Sequence, residues 1–200
     1  MEESTLYLKT TENKSTDIIK KGHFDKVKLY NIENYMGSVN QFNIVKKDND
    51  YLKQCKQPGS LGWGLYAFAN EKNAKLFQGC KEGKVLKFNI NYDNKKLLDL
   101  WKSEETIFAL DKFACKEKVK DNIKKYKNYC KNKGIKLKFQ RSDRGLIIEY
   151  FIKILKKDYD IVRMLAQNNL NGNNELELYN SVEYCIRNDS IIVNDTIDYA

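Results

Sequence analysis

A glycine-rich turn, Pro58-Gly-Ser-Leu-Gly-Trp-Gly64, contains the only proline of the 200-residue chain and runs into the strand-like Leu65-Tyr-Ala-Phe-Ala69. Its glycines permit positive φ angles and close backbone approach, so the turn can lie against a ligand. Other familiar chemistries are excluded. The chain has no phosphate loop G-x-x-x-x-G-K-[ST], no G-x-G-x-x-G after a strand, no H-E-x-x-H and no G-x-S-x-G. Its single histidine, His23, rules out mechanisms that need two. Five cysteines (Cys55, Cys80, Cys115, Cys130, Cys185) are widely spaced without a C-x-x-C pair, which argues against a zinc site and against a disulfide framework.

The second chemical feature is charge. The net +9 is concentrated: residues 1–71 carry +1, residues 72–157 carry +14 and residues 158–200 carry −6. Within the middle, residues 112–141 hold twelve Lys/Arg, among them Lys124, Lys125, Lys127, Lys131, Lys133, Lys136, Lys138 and Arg141, against Glu117 and Asp121. Such density lowers the cost of approaching a polyanion; a solvated helical face is the plainer reading.

These residues need elements to position them. Thr5–Thr10 alternates as a strand, Thr16-Asp17 opens a short helix that Gly22 ends, and weak strand signals sit at Val27–Tyr30 and Phe42–Val45. Asn70 is placed to cap a helix through Phe77, and Val85–Tyr92 alternates strictly as the clearest strand. Residues 103–133 read as one or two helices, Asp143–Lys157 as another, and Tyr159–Leu165 as a buried strand. An asparagine-rich loop, Gln167–Asn174, precedes final strands at Ser181–Arg187 and Ile191–Val193. Strands at both ends with helices between them predict an α+β fold. We read residues 1–200 as one domain, with a basic helical insertion at about 103–141. The composition is that of a globular protein with 42% apolar residues. Without a membrane-spanning run or a signal-like start, a cytoplasmic location is expected.

Three separated segments resemble the ADP-ribosyltransferase family, in its small bacterial and poly(ADP-ribose) polymerase-like branches. They are Leu6-Tyr-Leu-Lys-Thr10 with Ser15–Phe24, then Gly62-Trp-Gly-Leu-Tyr-Ala-Phe-Ala-Asn-Glu-Lys-Asn-Ala-Lys-Leu-Phe77, and Tyr159-Asp-Ile-Val-Arg with Ser181-Val-Glu-Tyr-Cys-Ile-Arg-Asn-Asp-Ser-Ile191. The resemblance implies a pair of small mixed or antiparallel sheets enclosing a cleft for NAD as co-substrate, without a metal. Transfer of ADP-ribose breaks the nicotinamide–ribose bond through a cation-like transition state, which calls for an aromatic clamp and a carboxylate. Tyr66 and Phe77 are the two walls so implied, Gly64 the close-approach glycine, and Glu183 the catalytic carboxylate. Glu177, in Glu175-Leu-Glu177, is the second-ranked carboxylate.

Leu8 stands where the polymerase-like branch has histidine, and Lys9 or Thr10 is left to supply the hydrogen bond to the cofactor. Ser181, two residues before Glu183, does not identify the acceptor. The resemblance implies a mono-ADP-ribosyltransferase of toxin or defence type, acting on a macromolecule, nucleic acid or protein. On that reading the Asn-rich loop faces the acceptor, and the basic segment 112–141, with Tyr126, Tyr129 and Phe139, holds RNA or DNA. The alternatives are a catalytically inactive nucleic-acid-binding module on the same fold, and hydrolysis of NAD without a macromolecular acceptor.

Overall fold

A computed structural model describes residues 1–33, 58–77, 82–132, 134, 142–165 and 182–200. The expected strand at Phe42–Val45, the Asn-rich loop, Glu175, Glu177, Ser181, Phe139, Cys55, Cys80 and the basic residues Lys133, Lys136, Lys138 and Arg141 lie outside them. Contacts divide the chain into two units, one of residues 1–27, 65–102 and 159–200, the other of residues 28–64 and 103–158.

The first unit is built on seven strands: β1 (Glu2–Thr10), β2 (Leu65–Phe68), β3 (Lys84–Tyr92), β4 (Leu97–Asp99), β5 (Ile161–Leu165), β6 (Val182–Ile186) and β7 (Ile192–Tyr199). Their order across the sheet is β4-β5-β6-β2-β1-β3-β7. Among the described residues only β4 and β5 run parallel; every other pair is antiparallel. The α+β class holds, with one mixed sheet where two small ones were expected. The difference rests on one place, because the four-stranded group β4-β5-β6-β2 meets the three-stranded group β1-β3-β7 through a single register pair, Tyr7 opposite Phe68. By contrast, β1 and β3 pair over nine residues, from Glu2 opposite Tyr92 to Thr10 opposite Lys84.

Alternation assigns the two faces. One carries Leu6, Leu8, Ala67, Leu86, Phe88, Ile90, Val182, Tyr184 and Ile186 in a single apolar cluster, completed by Ile18 and Phe24. Ile18 belongs to α1 (Glu12–Lys21), whose N-terminus is capped by the Thr11 side chain accepting from the Lys14 N–H, and which ends at the left-handed Gly22. The helix begins five residues before the Asp17 expected from sequence. Thr16, expected with Asp17 to open the helix, instead returns its hydroxyl to the Glu12 carbonyl at 3.0 Å inside the helix, as Ser15 does at 2.7 Å. The opposite face carries Tyr7, Phe68 and Val85, packed with Ala74 of α2 (Glu71–Leu76), which Asn70 caps as expected.

Asp99 on β4 pairs with Arg163 on β5 at 2.8 Å, and its carboxylate also accepts the N–H groups of Trp101 and Lys102. Burial pushes the Asp99 pKa up, but the hydrogen bonds from Arg163 and those two amides outweigh it and hold the carboxyl below its ordinary value of 3.8. The short β4 carries too few residues for alternation to reveal it in sequence. Val27–Tyr30 is irregular, not a strand.

The second unit contains α3 (Glu104–Ala114), α4 (Glu117–Asn132) and α5 (Ser142–Leu155). Their buried residues include Phe113, Ile123, Tyr126, Leu146 and Phe151, with the Phe113 and Phe151 rings 5.6 Å apart. The described part of the stretch 103–133, residues 103–132, is therefore two helices, broken near Cys115, which caps α3.

Candidate functional site

Glu183 lies at the centre of β6, a strand hydrogen-bonded on both sides, to β2 and β5. At 7% exposure it is buried. An exposed glutamate on a sheet edge, the ordinary explanation of such a residue, does not apply to it. Removing a carboxylate from water is costly without compensating interactions, so a buried glutamate on an interior strand needs a structural or chemical reason.

The register shows what surrounds it. Opposite Glu183 stand Phe68 on β2 and Met164 on β5. Two residues along, Tyr66 faces Cys185. Residues paired across antiparallel strands share a face, so Tyr66, Phe68, Met164, Glu183 and Cys185 all lie on one side of the sheet. Through Phe68 that face continues to Tyr7 of β1 and, by alternation, to Lys9. Its diagonal neighbours are within reach of an aromatic side chain.

Phe77 reaches this face from the end of α2. Its ring packs on Phe68 with centroids 5.6 Å apart and planes tilted by 52°, and it is 36% exposed. The two expected aromatic walls are thus separate in kind. Tyr66 belongs to the sheet, whereas Phe77 touches the sheet through Phe68. Sequence reading passed over Phe68 and Met164. Phe68 was open to inference, since it is two residues after Tyr66 on a strand and so shares its face.

The first strand sorts its three residues by alternation. Leu8, aligned with the family's histidine, belongs to the apolar cluster on the face opposite Glu183. Thr10 shares that parity, opposite Lys84. Lys9 is on the Glu183 face and donates from Nζ to the Lys75 carbonyl near the end of α2 at 2.9 Å. Of the two residues proposed to replace the histidine, only Lys9 has the same sidedness as the carboxylate.

The glycine-rich turn has a structural occupation of its own within the helical unit. Gly59 and Gly62 exchange backbone hydrogen bonds at 3.0 and 3.3 Å, and Gly62 has φ +97. A Cβ on Gly145 of α5 would stand 1.9 Å from the Gly59 carbonyl oxygen. Helix and turn therefore meet backbone to backbone. Glu149, one turn further along α5, accepts the Trp63 N–H at 2.7 Å, and Trp63 is buried against Tyr30 with ring centroids 5.4 Å apart. Gly64 follows as the link into β2. The close approach that the glycines allow is used here by a helix.

Among the described residues no group of His, Cys, Asp and Glu is arranged to hold a metal ion. No helix of the described residues is long and apolar enough to cross a membrane. Comparison with family models, with curated proteins and with solved structures finds no match.

Proposed function

We propose that the chain is an NAD-dependent mono-ADP-ribosyltransferase whose reacting ribose lies over the face of β2 and β6. The observation that supports this most is the burial of Glu183 on an interior strand, on the same face as Tyr66 of the adjoining strand. A carboxylate flanked by Phe68 and Met164 meets the electrostatic demand of the reaction. The bond from ribose C1′ to the nicotinamide nitrogen breaks, nicotinamide leaves with the electron pair as a neutral molecule, and positive charge builds on the ribose. A fixed anion beside that charge acts where water is excluded and is most effective there. The acceptor's lone pair then bonds to C1′ and its proton passes to solvent or to the carboxylate. Tyr66 offers a flat ring for the nicotinamide, and Lys9 a donor on the same side of the sheet.

A second reading is an inactive relative that keeps the fold. The burial of Leu8 in the apolar cluster and the engagement of Lys9 with the Lys75 carbonyl favour it. Incubation with NAD labelled on its ADP-ribose part, together with cell lysate and with nucleic acid, separates the two. The transferase reading expects nicotinamide release with label transferred to an acceptor, and loss of both in Glu183→Ala. Release without transfer identifies an NAD hydrolase. No release in any mixture identifies the inactive relative.

A further inference from the structure

The basic segment is not uniformly basic around its helix. In α4 the buried residues are Val119, Asn122, Ile123, Tyr126 and Cys130, which fix the inward side. At 3.6 residues per turn, Lys120, Lys124, Lys127 and Lys131 follow at steps of four, three and four, and so line one flank of the outward side. Lys118 and Lys125 lie on the other flank, beside Asp121. The stripe of four spans twelve residues, about 16 Å of helix, long enough to meet a run of several backbone phosphates. Its acidic contact is Asp143 of α5, which pairs with Lys127. Among the described residues, Lys120, Lys124 and Lys131 carry no ion-pair partner.

A row of four lysines along one flank of a helix is repelled by itself and gains by binding a row of anions. We propose that this stripe is a docking surface for the phosphate backbone of a single-stranded nucleic acid, read without regard to sequence. The choice over an anionic membrane rests on the exposed positions of α4, which are Glu117, Asp121 and Asn or Lys throughout. An interfacial helix inserts an apolar face beneath the headgroups, and the apolar face of α4 is already spent on the helical unit. The proposal is independent of the transferase reading, because binding is measured without NAD.

The test is titration of a labelled single-stranded oligonucleotide with the full chain at several salt concentrations, alongside vesicles containing phosphatidylserine. Lys120→Glu with Lys124→Glu is compared with Lys118→Glu with Lys125→Glu, two pairs that change net charge equally on opposite flanks. Four contacts give a log–log salt slope of about −2.8, and the stripe pair removes about 1.4 of it with at least a tenfold loss of affinity. The flank pair leaves affinity within about threefold. Should the glutamate variants unfold, Lys120→Gln with Lys124→Gln carries the same comparison with unchanged helix propensity. Equal losses from both flanks, a flat salt response, or stripe-dependent capture of vesicles without oligonucleotide binding each overturns the proposal.

Discussion

Among the described residues each unit buries one glutamate on a regular element, and the two carboxylates have different surroundings. Glu149, 4% exposed on α5, gives an oxygen to the Trp63 N–H and thereby ties a tight turn to a helix. Glu183, 7% exposed on β6, is flanked across the sheet by Phe68 and Met164 and shares a face with Tyr66. Burial alone therefore does not distinguish a strut from a candidate catalytic group; what the carboxylate faces does. Two cationic features also contrast. In the sheet unit Arg163 is drawn inward against Asp99, whereas the helical unit sets its lysines on the outside of α4.

The contrast can be broken most severely at Arg163. Arg163→Met leaves Asp99 without its counter-ion in a mostly buried place, and we expect a loss of about 3 kcal/mol in urea unfolding. A change below about 1 kcal/mol would show that the pair is screened like a surface ion pair. Glu149→Ala removes the acceptor for the Trp63 amide and opens a cavity behind the turn, for an expected loss of about 2 kcal/mol. If Glu149 were poised for chemistry instead, this variant would keep the wild-type unfolding midpoint.

A smaller effect sharpens the comparison through pH. Because the Asp99 carboxyl is held below 3.8, it contributes stability above the ordinary carboxylate range, and that contribution is lost as pH falls through the depressed folded value. Wild type should therefore lose part of its stability in the acid limb below about pH 4, and Arg163→Met should show a shallower loss there. Parallel acid limbs in the two proteins would remove Arg163 as the cause of the shift.

Much of the sheet was legible from alternation. Lys84–Tyr92 and Leu65–Phe68 fall within one residue of their expected places, since each combines alternating or continuous apolar residues with turn residues at its ends. Helix α1 starts earlier than its sequence suggests because Thr16-Asp17 resembles a cap, whereas the cap is Thr11 and the Thr16 hydroxyl bonds back to Glu12. The site was partly legible. Alternation from Tyr66 leads to Phe68, but Met164 becomes a neighbour of Glu183 only through the pairing of β5 with β6, which no local pattern encodes. The same holds for Leu8 and Lys9, whose sidedness depends on Tyr7 meeting Phe68. The glycine-rich turn illustrates the opposite limit. Its composition shows that something approaches closely, and only the packing of Gly145 identifies that something as α5.

The central claim is that Glu183 serves the reaction more than the fold. The most direct measurement is the Glu183→Gln variant, followed by nicotinamide release from NAD, by NAD affinity and by thermal unfolding in parallel. Glutamine keeps the volume and the hydrogen-bonding shape of the side chain while removing its charge. The account predicts release slowed by about a hundredfold or more, with NAD affinity within a few-fold and unfolding shifted by less than about 1 kcal/mol. Release at the wild-type rate, or a release defect accompanied by an equal collapse of stability, would contradict it.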